Sequence, residues 1–345
     1  MDCEEFIHPV LHQERVDNPQ KRHVRCLTCE RRCVIAPGET GWCGTHQNRD
    51  GVLVTLTYGM VTSLSANRIE KKPLYHFYPG SRALTTGSSS CNFACPWCQN
   101  WHISKALPRG GTFYSPSSFV AEAINRDCQG TSISFNEPTL SLEWVCEVFR
   151  LTRQAGLYNT FVTNGYMTLN VLERLAHAGL DAMNVDVKGD VNVVQTHCEA
   201  DVEVVWRNLV AARDLGIWLE VTTLVIPSIN DNSEILVSIA ERIKRTLGAD
   251  TPWHVTRYHP TEHFHIPPTP LATLEHARSI GREVGLKYVY VGNAPGHYAE
   301  NTYCPSCKKM LIQRWEIPTT GNQIRKGRCP ECGTEIPGCG LNWQK

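Results

Sequence analysis

The segment Cys91-Asn-Phe-Ala-Cys95-Pro-Trp-Cys98 sets three thiols at C-x3-C-x2-C spacing, with an aromatic residue directly before the last. Three thiolates so placed can hold three irons of a cubane [4Fe–4S] cluster. Such clusters are ordinarily held by four cysteines, so a set of three leaves one iron open to an exogenous molecule. A structural zinc site could use the same thiols by borrowing a fourth ligand from elsewhere. The residues downstream decide against that alternative.

The elements that must position these thiols can be read from the pattern between about residues 81 and 293. Short β-branched or apolar runs alternate there with longer helical ones, the signature of βα units around a parallel sheet. Strands are expected at Ala83–Thr86, Ser132–Phe135, Thr160–Thr163, Ala182–Val187, Trp218–Val225, His254–Arg257 and Tyr288–Val291. Helices are expected at Pro116–Arg126, Leu140–Ala155, Leu169–Ala178, Val202–Leu215, Ser233–Leu247 and Leu271–Val284. Gly156, Gly179, Gly216, Gly248 and Gly285 follow five of these helices, where a left-handed residue closes a helix end. The three thiols then lie in the loop after the first strand. Parallel α/β sheets and barrels build their sites at such strand ends.

Further polar tracts fall at successive strand ends. Phe135-Asn136-Glu137-Pro138 follows the second strand, Thr163-Asn164-Gly165-Tyr166 the third, and Asp186-Val187-Lys188-Gly189 the fourth. Read singly, these are a carboxylate at a helix start, an Asn-Gly turn and an Asp–Lys pair. Beyond them, His259 is a candidate for substrate contact or proton handling, or a hydrogen-bonded structural residue. His263 and His265 lie in a Pro-rich loop.

Together with the triplet, these tracts resemble the radical S-adenosylmethionine (SAM) enzymes related to pyruvate formate-lyase activating enzyme. More narrowly, the chain is similar to the AmmeMemoRadiSam-system radical SAM proteins. That narrower likeness rests on Lys72-Pro-Leu-Tyr-His-Phe-Tyr-Pro-Gly-Ser81, Cys98-Gln-Asn-Trp101, Ser134-Phe-Asn-Glu-Pro138, Phe161-Val-Thr-Asn-Gly-Tyr166, Val221-Thr-Thr-Leu-Val-Ile-Pro227 and Tyr288-Val-Tyr-Val-Gly-Asn293. The resemblance implies a partial (β/α)6 TIM-type barrel in which Cys91, Cys95 and Cys98 bind the cluster. The open iron would chelate SAM, and reduction would yield methionine and a 5′-deoxyadenosyl radical that abstracts hydrogen. Trp97, Glu137, Asn164, Asp186 and Lys188 would contact the cofactor. Glu137 would face its ammonium, Asn164 or Asp186 its ribose hydroxyls, and Lys188 its carboxylate. In the wider superfamily the tract at Glu137 often reads Gly-Gly-Glu-Pro, and the Gly-Gly pair is missing here. The substrate would be a protein or small molecule. Rival readings are a glycyl-radical-enzyme activase and a non-catalytic zinc-ribbon scaffold on a retired barrel.

Two more cysteine sets flank this core, giving an expected division into residues 1–75, 76–298 and 299–345. Cys304-x2-Cys307-x21-Cys329-x2-Cys332 has the paired-knuckle spacing of a zinc ribbon. Four thiolates close a tetrahedral zinc shell, and metal binding would supply most of the folding energy of so small a module. Cys26, Cys29, Cys33 and Cys43 sit in a loop-rich stretch and could close either a zinc site or an auxiliary [4Fe–4S] cluster. Spacing leaves that choice open. Cys3, Cys128, Cys146, Cys198 and Cys339 read as ordinary cysteines.

The 345 residues carry 34 basic and 34 acidic side chains, so no electrostatic footprint for nucleic acid or an anionic membrane is visible. No apolar run is long enough to span a bilayer. With 16 cysteines mostly in metal-ligand clusters, a reducing, low-oxygen cytoplasm is expected. An external one-electron reductant of the flavodoxin or ferredoxin kind would also be required.

Overall fold

The computed structural model describes residues 4–16, 22–105, 110–315 and 319–343; Cys3 lies outside them. The chain forms two compact units. One comprises Met1–Ala66, Ala83–Ala94 and Cys98–Asp181; the other comprises Asn67–Arg82, Cys95–Trp97 and Ala182–Lys345. Both are built on parallel strands alternating with helices, the expected α/β class.

In the first unit β1 (Arg82–Gly87), β2 (Gly130–Ile133) and β3 (Tyr158–Thr163) are parallel, with β2 between the others. Gly130 is required where it stands, because a Cβ there would meet the Tyr158 ring at 2.0 Å. Beside the single turn Trp101–Ser104, the helices are α1 (Pro116–Asn125), α2 (Leu142–Gln154) and α3 (Leu169–Ala178). Ser115 caps α1 by accepting the Ser118 amide, with Pro116 at the first helical position. β2 begins and ends two residues earlier than expected. It stops at Ile133 because Phe135 takes φ +74°, turning the chain away from the sheet. A 3₁₀ turn, Pro138–Ser141, precedes α2, so the expected helix start at Leu140 falls within that turn.

The loop-rich N-terminal stretch contains two small antiparallel sheets. One runs His8–Pro9, Val52–Thr55, His46–Arg49 in spatial order; the other runs Gln13–Arg15, Val24–Cys26, Val34–Ile35. Val10, Val24, Cys26, Ile35 and Leu53 form their common core.

In the second unit β4 (Ala182–Asp186), β5 (Trp218–Val225), β6 (Trp253–Arg257) and β7 (Val289–Gly292) are parallel neighbours in chain order. The helices are α4 (Val191–Cys198), α5 (Val202–Asp214), α6 (Ser233–Thr246) and α7 (Leu271–Val284). Asp190, Asp201 and Asn232 cap the first three with side-chain oxygens. The helix α4 was not expected. The second unit ends in a three-stranded antiparallel sheet, Thr302–Tyr303, Met310–Arg314 and Thr319–Asn322, around Cys304, Leu311, Ile312, Ile324 and Cys329.

Buried polar groups bind residues 72–81 into this second unit. The sealed Glu220 carboxylate accepts the Tyr75 and His76 amides at 2.9 and 2.8 Å and meets His254 Nε2 at 2.7 Å. His76 Nδ1 lies 2.7 Å from the Pro337 carbonyl, which can only accept, so the proton sits on Nδ1. Nε2 therefore accepts from the Tyr290 hydroxyl at 2.6 Å.

Burial pushes His76 down to about 4, so the folded state refuses a proton that the unfolded chain takes up near pH 6.5. This group's contribution is complete above pH 6.5 and is lost as pH falls from there toward 4. The expected loss is about 3 kcal/mol. Urea unfolding of wild type and His76→Gln at pH 7 and pH 4 checks it: the variant's stability should fall by about 3 kcal/mol less between them. Identical pH dependence would refute this role for His76.

Candidate active site

The triplet loop begins where β1 ends, and Asn136 shapes its first residues. The Asn136 side chain accepts the Ser88 amide at 2.9 Å and donates to the carbonyls of Ser89 and Ser90 at 3.1 and 3.0 Å. This buried amide thus holds all three residues leading into Cys91. Asn100 fastens the other end by donating to the Phe135 carbonyl at 2.8 Å. Cys91 Sγ accepts the Phe93 amide at 3.4 Å and lies 3.7 Å from Asn164 Nδ2; Cys98 Sγ is 3.1 Å from the Ser104 hydroxyl. The thiols of Cys91 and Cys98 are half-buried, and Cys95 is buried.

Glu137 is sealed from solvent at the end of β2. Its Oε1 accepts from the Thr139 amide (3.1 Å), the Thr139 hydroxyl (2.5 Å) and the Thr163 hydroxyl (2.7 Å), and its Oε2 accepts the Asn164 amide at 2.9 Å. Burial raises its pKa, and these four donors oppose the rise. The carboxylate thereby fixes the turn that carries Asn164. The Asn164 side chain reaches Asn92 Oδ1 at 2.7 Å as well as Cys91, and accepts the Tyr166 amide at 3.0 Å. Of the tract after β2, Glu137 and Asn136 are both positioning groups for neighbouring strand ends, a use of Asn136 that its residue type did not reveal.

In the second unit Lys188 Nζ pairs with Asp186 Oδ2 at 2.7 Å. Burial works against the Lys188 charge, but Asp186 and the thiols of Cys95 and Cys198 outweigh it and hold the ammonium well above its usual range. Asn230 orients that segment by donating to the Lys188 carbonyl at 2.8 Å. Trp97 packs beside His197 and Phe264, with ring centroids 5.4 and 5.9 Å away. Cys198, at the C-terminus of α4, brings its sulfur to 3.1 Å from Cys95 Sγ. Nothing in the sequence marks Cys198, because its neighbour lies 103 residues away. His259, His263 and His265 are exposed and belong to no compact ligand group among the described residues.

The two flanking cysteine sets differ in geometry. Cys304, Cys307, Cys329 and Cys332 converge so that all four sulfurs lie within 4.8 Å of one another, with closest pairs at 3.5 and 3.6 Å. The knuckle turns are formed by positive φ at Lys308 and Gly333, each one residue past a C-x2-C. Hydrogen bonding by Thr334 helps draw the Cys332 thiol down to about 6. Cys26, Cys29, Cys33 and Cys43 line a cavity with the buried His46, whose Nδ1 is 3.3 Å from Cys26 Sγ. Burial would depress His46, but the sulfurs of Cys26 and Cys43 raise it to about 10.

The Radical SAM superfamily profile matches residues 86–238, from the end of β1 into α6. With the α/β fold and the triplet at the end of β1, the chain belongs to the radical SAM superfamily. Within it, the chain shares a family with "Uncharacterized protein MJ0808" of Methanocaldococcus jannaschii, at 41% identity over 318 residues, 91% of this chain and 95% of that protein. A second protein of that archaeon, MJ1227, bears a provisional name as a glycyl-radical enzyme activating enzyme. It is 26% identical over 177 residues, covering 48% of this chain and 70% of its own length. The structure of Streptococcus suis SuiB bound to S-adenosylmethionine aligns with a TM-score of 0.51 at 12% identity, over 69% of this chain and 56% of SuiB. That last likeness is one of fold.

Glu137→Gln puts a donor where four groups already donate. The expected cost is about 2–3 kcal/mol of stability, from one buried donor left facing another. Urea denaturation of the purified protein measures it. A change below about 0.5 kcal/mol would show that Glu137 does not hold the Asn164 turn.

Proposed function

We propose that this chain is a SAM-cleaving enzyme whose cluster is held by Cys91, Cys95 and Cys98. The observation that carries this is the triplet itself: three cysteines on the loop after β1, with no fourth on that loop, and its entry fixed by Asn136. A bound [4Fe–4S] cluster would supply the electron that cleaves SAM, giving a 5′-deoxyadenosyl radical able to take hydrogen from substrate. The residues present suit such a group. Asn164 Nδ2 and the Phe93 amide offer N–H donors to Cys91, and the Ser104 hydroxyl can donate to Cys98. Lys188 offers a cation in the second unit for a carboxylate, with Asp186 and Trp97 as further cofactor contacts. Asn164 is available to a ribose hydroxyl. Glu137 acts chiefly by holding Asn164 in place.

The substrate is a protein or a small molecule, and an external low-potential electron carrier supplies the reductant. Similarity to MJ1227 favours a second reading, in which the hydrogen comes from a glycine Cα of a partner enzyme. The narrower AmmeMemoRadiSam assignment and a reducing, low-oxygen cytoplasm complete the proposal. No helix among the described residues is long and apolar enough to cross a membrane. The C-terminal cysteines suit structural zinc: a Zn–S bond of about 2.3 Å puts sulfurs about 3.8 Å apart, close to the pairs observed.

Anaerobic reconstitution with iron and sulfide, reduction and addition of SAM should yield 5′-deoxyadenosine. Cys95→Ala should bring the yield to the protein-free background with the fold retained. Persistent nucleoside formation by that variant would sink the assignment. Separately, Cys332→Ser should lower bound zinc by about one ion per chain and expose the 299–343 region to proteolysis. Unchanged zinc would refute a metal at that set.

A further inference from the structure

We infer that Cys26, Cys29, Cys33 and Cys43 hold a second [4Fe–4S] cluster that passes electrons to the cluster at Cys91. The inference rests on the reading of Cys91, Cys95 and Cys98 given above. The two flanking cysteine sets provide an internal comparison. The C-terminal sulfurs meet the spacing of a tetrahedral zinc site, whereas the N-terminal four do not draw together within 4.8 Å as a compact ligand group. Their cavity is wide enough for a water molecule at its centre. Four sulfurs about 2.3 Å from a zinc ion leave no such space. A cubane, with an iron and a sulfide shell between its centre and each thiolate, needs this wider setting.

The lining supports the same assignment. His46 and Asn92 are both buried and both face the cavity; the Asn92 side-chain amide already points to the Cys29 sulfur, and His46 Nε2 has no hydrogen-bond partner in the protein. A sealed ring nitrogen without a partner is costly. A cluster there would give both side chains sulfur acceptors, and N–H···S contacts are one of the means by which proteins set cluster potential. With four thiolates no iron remains open, so this cluster would carry electrons rather than bind a substrate.

Its neighbour is the loop bearing Cys91. Asn92, which lines the cavity, is the next residue after Cys91, and its Oδ1 accepts from the same Asn164 amide that reaches Cys91 Sγ. Arg31 clamps the Asn92 carbonyl at 2.7 Å, and the Ser90 hydroxyl donates to the Cys43 carbonyl. Residues on both sides of Cys91 are thus bonded to the cysteine-bearing N-terminal segment. In the electron transfer, a one-electron donor of the ferredoxin or flavodoxin class reduces the N-terminal cluster from the 2+ to the 1+ state. That cluster returns to 2+ as the cluster at Cys91 goes from 2+ to 1+. No bond forms or breaks.

The test uses the full-length chain, reconstituted anaerobically with iron and sulfide, as wild type, as Cys91→Ala/Cys95→Ala/Cys98→Ala, and as Cys29→Ser/Cys33→Ser. Expected iron is about eight atoms per chain for wild type and about four for each variant. After dithionite reduction, the triple variant should show an electron paramagnetic resonance signal that SAM does not alter. The double variant should keep the SAM-responsive signal, while its reduction by a ferredoxin slows at least about tenfold. A triple variant with zinc and no iron overturns the second cluster, and an unchanged ferredoxin rate in the double variant overturns the relay. If instead the triple variant keeps all the iron and the double variant loses it, the reading of Cys91–Cys98 fails and the N-terminal cluster stands. The triple variant leaves the N-terminal set intact, so it decides the metal question even if the double variant misfolds.

Discussion

A carboxylate removed from water must be surrounded by donors, and Glu137 imposes that requirement on the strand ends around it. Its four hydrogen bonds draw in the 3₁₀ turn at Thr139 and the turn at Thr163 and Asn164. Asn136, one residue earlier, spends both ends of its amide on the residues leading to Cys91. A dipeptide at the end of β2 thus sets the starting points of the loops after β1 and β3. Neither group can shift without leaving sealed polar atoms unmet, which costs about 1–3 kcal/mol each. The thiol loop inherits its precision from this arrangement.

Much of the core was legible because its rules are local. Runs such as Trp218–Val225 and Leu271–Val284 carry strand and helix periodicity, and the glycines after the helices adopt the left-handed conformation their positions suggested. What escaped was either short or mixed in signal. Gln13–Arg15 and His46–Arg49 are polar strands of three and four residues whose partners, rather than propensities, define them. The helix α4 begins Val-Asn-Val-Val, which reads as strand until Asp190 is seen capping it.

The functional residues divide along the same line. Cysteine spacing within a loop is a property of the sequence, so the triplet and both flanking sets could be found there. The meeting of Cys95 with Cys198, or the use of Asn136 as a loop clamp, depends on how distant segments fold together. The difference between the two four-cysteine sets is also three-dimensional. Similar ligand lists give one compact tetrad, with closest pairs at 3.5 and 3.6 Å, and one wider ring around a cavity.

The order in which the chain is synthesised gives the C-terminal tail an additional significance. The Tyr75 carbonyl is held by Arg314 at 2.8 Å, and the backbone around Phe77 pairs with Cys339. Residues 72–81 leave the ribosome before almost everything they bind. Their buried polar groups therefore remain unmatched until residues 314–339 have been made. Truncation after residue 313 would leave the Tyr75 carbonyl and His76 Nδ1 without the partners that normally arrive last.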